Sequence, residues 1–592
     1  MHLVAKQVNG HEYYYLVEKE RHGHRVITAR TVYVGNRQKL AELLQVSASS
    51  ALPTSFTPQE VGASLALVEV SRDLTIEKII DEICPVRSGA VAIGRQILLA
   101  AVHRALAPRR ENGLRNLREF YANSALKDLL PISGGALDAQ RVCETLASLT
   151  SRQMERIESG IVHRLIESEG IRLKALAFDT TNFDSYAGAT TRSWLLRRGH
   201  AKSGRPLRVL GLGLLVTEDE GIPLLTFTYP GNENDVAAFG RFLKALDRRH
   251  SSLALPMEAT IAADGGNISK EILRRLEEVP RHYVLRLPAG HVVGLPRERS
   301  GELPMLAGER LEGKVRARKH LWKVYGVERC VVDVYSRRMH QRHLPGLVRD
   351  RKKALADLKH LQEMLERQRQ GLRHVKPITM AALRRRVAVA LAREHMRSLF
   401  RVRLNKAEGA PTLDFEELPE AWQQLEDYVL GRTLLVSNRK QWSTERLVLA
   451  SRQQCHNEHF FRDLKDPGGV SMLPLRHRRD ASLRANALLV VLALVLVKVV
   501  KRRLRKARVK VPSVASLLST LKKIQRARLH LSKEAPPALR SFTSTIWVPS
   551  ERTQGQSRIL AALGLDGRAE LGTTLKSAKN QAGRAKGVKK SA

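Results

Sequence analysis

The stretch that decides the fold opens at Leu173-Lys174-Ala175-Leu176-Ala177-Phe178-Asp179 and closes at His282-Tyr283-Val284-Leu285-Arg286-Leu287. Between these limits short apolar runs alternate with turns. Runs at 173–178, 207–216 and 222–229 are followed by a helix pattern over 236–249, a run at 259–263, a second helix pattern over 268–277, and the run at 282–287. Three adjacent strands with short connections predict an antiparallel meander. Strands separated by helices predict parallel additions to the same sheet. The expectation is an α/β (α+β multidomain) chain with a mixed sheet flanked by helices.

Two acids stand at the ends of runs in this pattern. Asp179 directly follows the first run, and Asp264 follows the fourth, Ala259-Thr260-Ile261-Ala262-Ala263. Functional sites gather at strand ends in open sheets with helical crossovers. A carboxylate placed directly after a buried strand is costly unless a cation pairs with it. Gly265-Gly266 lets the backbone turn sharply after the second acid. A third acid, Glu458, lies in a helix pattern over 444–465, opened by a Ser443 or Thr444 cap and stopped by Asp466-Pro467-Gly468-Gly469. Glu458, Arg462 and Lys465 are spaced i, i+4, i+7 and share one face. A carboxylate beside two cations suits a phosphodiester site, where the acid helps hold a metal and the cations hold phosphates. Each residue alone has a plainer reading. A strand-end Asp is more often a turn or cap residue, and Glu458 with Arg462 is an ordinary helix-surface pair. It is the order of the elements that joins the three acids.

Outward from this core, residues 13–17 and 26–28 predict a hairpin about His22-Gly23-His24, and the Ser/Thr/Pro/Ala-rich 47–58 reads as a linker. Residues 74–172 carry a helical pattern. After Pro304 come strand candidates at 320–325 and 329–335, then a basic helix over 348–371. On it Ala354, Leu358, Leu361 and Leu365 form one stripe. A second basic helix follows Pro377 and contains Arg384-Arg385-Arg386. A strand is expected at 434–437. The apolar run at 487–497 is shorter than the roughly 20 residues of a membrane span, so a buried core helix over 483–500 is expected, continuing into Lys501-Arg502-Arg503. The tail after Arg568 is Gly/Ala/Lys-rich and expected to be disordered. The regions are thus 1–46 (hairpin), 59–172 (helical), 173–303 (core with both Asp), 304–432 (basic insertion), 433–510 (core with the Glu helix) and 511–592 (basic C-terminal region).

The 592 residues hold 101 Lys+Arg against 59 Asp+Glu, a formal net charge of +42. That surplus calls for a polyanion, nucleic acid first. Its placement narrows the reading. Residues 498–592 hold 23 basic against 4 acidic side chains, and 349–397 hold 14 against 5. These stretches are expected to grip DNA backbone on either side of the acids. The four cysteines show neither CxxC nor zinc-type spacing, which excludes a disulfide scaffold or zinc finger and suits a reducing cytosol. With no signal-peptide pattern at the start, a cytoplasmic, nucleoid-associated protein without a membrane partner is expected.

These residues resemble the DDE transposases of bacterial insertion sequences, in the branch with a long insertion before the final Glu. The order of elements is that of the family's RNase H-like domain. Phe178-Asp179-Thr180-Thr181-Asn182-Phe183 resembles the first-Asp motif, and Gly199-His200-Ala201-Lys202 the GHSK segment with Ala in place of Ser. Gly211 to Val216 and Pro230-Gly231-Asn232-Glu233-Asn234-Asp235-Val236 match the following strand and loop. Asp264-Gly265-Gly266-Asn267-Ile268-Ser269 resembles the second-Asp motif. Glu458-His459-Phe460-Phe461-Arg462-Asp463-Leu464-Lys465 resembles the third-acid helix. The family's Tyr and Arg before the Glu are Ser451 and Gln454 here, and a later His falls near Asn486.

The resemblance implies a Mg²⁺- (or Mn²⁺-) dependent DNA nuclease and strand transferase. Asp179, Asp264 and Glu458 would hold two ions roughly 3.5–4 Å apart. Arg462, Lys465, His200 and Lys202 would contact DNA, as would Arg384 to Arg386 and Lys501 to Arg503. Double-stranded element ends and target DNA would be the partners, held by a homodimer. Trp322 or Trp442 could stack on an extruded base, against the commoner fate of burial. Two other readings stay open: an RNase H-like nuclease without strand transfer, and a catalytically impaired, transposase-derived DNA-binding protein.

Overall fold

The computed structural model describes residues 2–566 except 9–10, 23–24, 37–52, 87–90, 109, 189, 200–203, 218–220, 257, 280, 293, 309–310, 312, 372–376, 407–410, 453, 467–469, 512 and 532–545. The expected disordered tail lies outside the described residues. The chain divides into two compact units, one of Met1–Pro256 with Gln454–Ala592 and one of Met257–Gln453.

The first unit starts with an antiparallel sheet of β1 (His2–Val8), β2 (His11–His22) and β3 (Arg25–Asn36) in that order. The hairpin expected between β2 and β3 is present, closing at His22 opposite Arg25. β1 adds a strand that the reading missed, although Asn9-Gly10 in the sequence is a strong two-residue turn signal. Where a linker was expected, β4 (Pro53–Glu60) pairs antiparallel with strand Gln525–Leu531. A strand whose partner lies more than 460 residues away has no local signature; Arg526, for example, donates to Gln59 across a separation of 467 residues.

The apolar run forms helix Asp480–Lys506. Its length and composition would allow it to cross a membrane, but 94% of its most apolar window is buried inside the protein. It packs against helices Gly62–Asp73, Ile93–Leu106, Ala139–Ser148 and Ser151–Glu169, all from the helical region before the sheet. An all-round apolar helix is stable in water only when enclosed in this way.

The meander follows. β5 (Ala175–Ser185) pairs with β7 (Arg208–Thr217), which also pairs with β8 (Pro223–Pro230) and the short β6 (Arg197–Arg198). Gly211 on β7 leaves room for the Tyr229 ring, because a Cβ there would stand 2.4 Å from it. Helix Asp235–Arg249, capped by the Asn234 side chain at 2.8 Å from Ala237 N, lays Phe242 on Phe178 with ring centroids 3.9 Å apart.

In the second unit β9 (Thr260–Ala263) runs parallel to β10 (His282–Leu287) through helix Lys270–Glu278. The β11–β12 hairpin (Val315–Val324, Val327–Ser336) is not confined to the insertion. β12 pairs with β15 (Arg432–Ser437), which pairs with β10. The buried Cys330, Val331, Val332 and Val334 make that strand part of the main sheet. The insertion proper is helical, with a two-stranded sheet of β13 (Phe400–Asn405) and β14 (Thr412–Glu417). The predicted stripe of Ala354, Leu358, Leu361 and Leu365 on helix Arg337–Arg369 is buried against Leu383 and Val387 of helix Met380–Ala390.

Candidate active site

Asp179 is inside a strand, not after one. The apolar run ends at Phe178, but Thr180, Thr181 and Phe183 favour extended backbone, and β5 stays paired with β7 through Ser185. Successive side chains of a strand point to opposite faces. On one face Phe178 and Thr180 meet helix Asp235–Arg249, where Thr180 Oγ1 donates to Asp235 Oδ1 at 3.0 Å. Asp179, Thr181 and Phe183 share the other face. There Lys465 Nζ donates to Thr181 Oγ1 at 2.6 Å, with its ammonium 5.4 Å from the Phe183 ring centroid.

That contact fixes helix Gln454–Lys465, the helix containing Glu458, onto the strand containing Asp179. Phe460, Phe461 and Leu464 bury its apolar side. Lys498 of helix Asp480–Lys506 pairs with Asp463 at 3.1 Å and fixes it a second time. The side chain of Glu458 lies outside the described residues; Arg462 is exposed. Asp179 Oδ1 accepts from Thr180 N at 2.7 Å. Burial pushes the Tyr229 phenol up, and the carboxylates of Asp235, Asp179 and Glu233 add to this against a hydrogen bond from Thr180. Tyr229 therefore stays a neutral donor among three acids. Thr181 did not stand out in the sequence, and Lys498, which opens the basic stretch expected on DNA, is buried against Asp463 instead. Thr181 belongs to the quoted first-Asp motif, but its partner is 284 residues away.

In the second unit Asp264 stands where expected, directly after β9. Its Oδ1 accepts from Gly265 N at 2.8 Å and from Arg286 at 3.1 Å. The cation that a strand-end carboxylate needs is thus Arg286. With both side chains about half exposed, the pair is weak and easily exchanged. Carboxylate oxygens of this kind suit a hard divalent cation. Among the described residues no three His, Cys, Asp or Glu side chains form a group able to hold a metal ion.

The expected DNA contacts fall into three sets. His200 and Lys202 lie outside the described residues. Arg384, Arg385 and Arg386 are exposed on helix Met380–Ala390, opposite its buried Leu383 and Val387. Lys501 is half-buried, while Arg502 and Arg503 face inward, which corrects their assignment to DNA. Arg502 donates to the carbonyls of Glu169 and Gly170 at 3.1 and 3.3 Å, closing the C-terminus of helix Ser151–Glu169. Arg503 bridges Glu169 and Asp73, each at 2.7 Å. Burial alone would lower the Arg503 pKa, but these two carboxylates raise it. Trp442 is half-buried with the guanidinium groups of Arg446 and Arg439 at 3.9 and 4.9 Å from its ring centroid, and Trp322 is half-buried on β11.

The curated proteins compared contain no match to this chain. Among solved structures, the cryo-EM structure of the piggyBac transposase synaptic complex with hairpin DNA is similar at 10% identity and a TM-score of 0.34, over 79% of this chain and 82% of that one. A family model described as "Transposase DDE domain" matches residues 176–496. The match runs from β5 into helix Asp480–Lys506 and takes in all three acids. It covers more than half of the 592 residues, and the chain belongs to the DDE-domain transposase family.

Proposed function

We propose that this transposase binds the double-stranded ends of its own insertion sequence, cleaves a phosphodiester at each end and joins the freed ends to target DNA, as a homodimer that pairs the two ends. Asp179, Asp264 and Glu458 are the residues assigned to hold divalent metal, Mg²⁺ or Mn²⁺. Such ions would activate an attacking oxygen and neutralise the leaving one. The observation that carries the reading is the Lys465–Thr181 hydrogen bond. It ties the third-acid helix to the first-acid strand, on the face that Asp179 shares. Lys465 thereby keeps positive charge two residues along that face from Asp179, where a phosphate would arrive. Arg462, one turn earlier and exposed, adds a second cation. Arg286, 3.1 Å from the Asp264 carboxylate, occupies the position that metal and DNA would take over.

Cleavage of DNA carrying the element's own ends, assayed with and without Mg²⁺, tests the assignment. Metal-dependent nicking at the 3′ ends, lost in Glu458→Ala and in Asp264→Ala, is expected. Undiminished nicking in either variant would overturn the carboxylate set. Nicking without joining would leave a nuclease lacking strand transfer.

A further inference from the structure

A groove of about 600 Å³ lies in the first unit, lined by none of the three carboxylates. One wall is helix Asp235–Arg249, whose Arg241, Lys244 and Arg248 follow each other at three and four residues and so form one stripe. The opposite wall is helix Ser151–Glu169, and Arg484 of helix Asp480–Lys506 enters from a third side. Trp194 stands at the groove with 42% of its surface exposed, and the Arg241 guanidinium lies 5.2 Å from its ring centroid.

The Trp194 loop is built in place. Asp480 accepts from Ser193 Oγ at 2.5 Å, from Trp194 N at 3.1 Å and from Leu195 N at 3.3 Å. Three hydrogen bonds to one carboxylate hold the backbone that carries Trp194, whose ring is left partly open to solvent, an arrangement that packing alone does not require.

The charge balance selects the occupant. Five basic side chains line the groove (Arg241, Lys244, Arg248, Arg249, Arg484) against two acids, Glu155 and Glu158. Glu158 is taken by the buried Arg249 at 2.7 Å, and Glu155 reaches Arg248 only at 3.7 Å. Glu233, outside the lining, pairs with Arg241. Even counting it, two cations remain in surplus, and among the described residues Lys244 and Arg484 form no ion pair. We infer that this groove binds a single DNA strand, with phosphates on Lys244 and Arg484 and the face of a base on Trp194. Phosphate contacts supply affinity without sequence reading, and a stacked aromatic accepts any base. The inference rests on the protein's action on DNA and adds a strand-holding surface apart from the carboxylates.

Anisotropy of a labelled single-stranded oligonucleotide of about 12 nucleotides, and of a duplex of the same length, tests it on the full chain in EDTA. Without divalent metal the outcome is independent of the carboxylate assignment. Trp194→Ala should weaken single-strand binding by about 5- to 100-fold and leave duplex binding within about twofold. Trp194→Phe should keep most of the affinity, which separates stacking from folding. Lys244→Glu with Arg484→Glu should reduce the slope of log affinity against log salt by about 1.4, at about 0.7 per phosphate contact. Unchanged single-strand affinity in both Trp194→Ala and the double variant would overturn the inference. So would equal losses for single strand and duplex in Trp194→Ala, which would mark the groove as a duplex-backbone surface.

Discussion

Arg384-Arg385-Arg386 and Lys501-Arg502-Arg503 are alike as sequence, each a run of three basic residues on a helix, and the fold treats them in opposite ways. On helix Met380–Ala390 all three arginines are exposed and none pairs with an acid among the described residues, Arg386 touching only Met364 Sδ at 3.9 Å. On helix Asp480–Lys506 two of the three turn inward, onto Glu169, Asp73 and the carbonyl end of helix Ser151–Glu169. The cause is the neighbourhood of each helix. The insertion helix has one packed side and leaves the other to solvent. Helix Asp480–Lys506 is surrounded, so a cation on it must find an acid or a carbonyl to compensate its lost hydration. A surplus of positive charge therefore marks a polyanion surface only where the helix has a wet side.

The largest effect should come from breaking the inward pair. Glu169 is 4% exposed and pairs with Arg503 at 2.7 Å, while Lys506 reaches its other oxygen only at 3.9 Å. Arg503→Met should destabilise the fold by about 3–5 kcal/mol, read as a lower urea midpoint, while the salt dependence of DNA binding by the folded protein stays as in the wild type. A large loss of salt dependence without loss of stability would show that Arg503 faces DNA after all. Next comes the dry side of the insertion. Leu358 is fully buried in the stripe, and Leu358→Ala should cost about 2–5 kcal/mol. Lys359→Ala, on the exposed side of the same helix, should leave the midpoint unchanged. Equal effects of the two would mean that the insertion helix has no distinct wet and dry sides.

The enclosed region also holds bases that cannot stay charged. His103, 1% exposed on helix Ile93–Leu106, is pushed down to about 3 by burial and by the adjacent Arg104. In the unfolded chain it titrates near 6.5. Between these values the unfolded state binds the proton and the folded state does not, so stability is complete above pH 6.5 and falls as pH drops toward 3. The contribution is about 1.4 kcal/mol per pH unit. Denaturant midpoints from pH 7 to 4 should fall less steeply in His103→Phe; parallel curves would remove His103 as the cause.

Much of this contrast was legible from the residues. The stripe at 354, 358, 361 and 365 has helical spacing, and helical spacing locates a buried side wherever it occurs. Asp264 was placed correctly because an apolar run and a Gly-Gly turn bracket it. Asp179 was misplaced because an apolar count stops at Phe178, although threonine extends a strand as readily as valine does. β4 and the inward turn of Arg502 and Arg503 were illegible for a single reason. Their partners, strand Gln525–Leu531 and Glu169, are hundreds of residues away, and nothing local records such a pairing. The candidate site divides along the same line. The three acids come from motifs, whereas the Lys465–Thr181 contact that fixes the third-acid helix exists only in three dimensions.

The smallest effect on the fold, and the sharpest test of the comparison, belongs to the outward run. Replacing Arg384, Arg385 and Arg386 together by Ala removes no ion pair among the described residues and loses only the contact of Arg386 with Met364 Sδ at 3.9 Å, so the urea midpoint should barely move. If each arginine neutralises one duplex phosphate, the slope of log affinity against log salt should become shallower by about 0.9 per contact, or about 2.7 for three. The loss should be uniform across DNA sequences, because phosphate contacts carry no base information. Arg502→Met, under the same titration, should leave the slope alone and lower the midpoint. If the triple variant kept the wild-type slope, exposure on the insertion helix would be only a solvated face, and the two basic runs would differ in packing without differing in use.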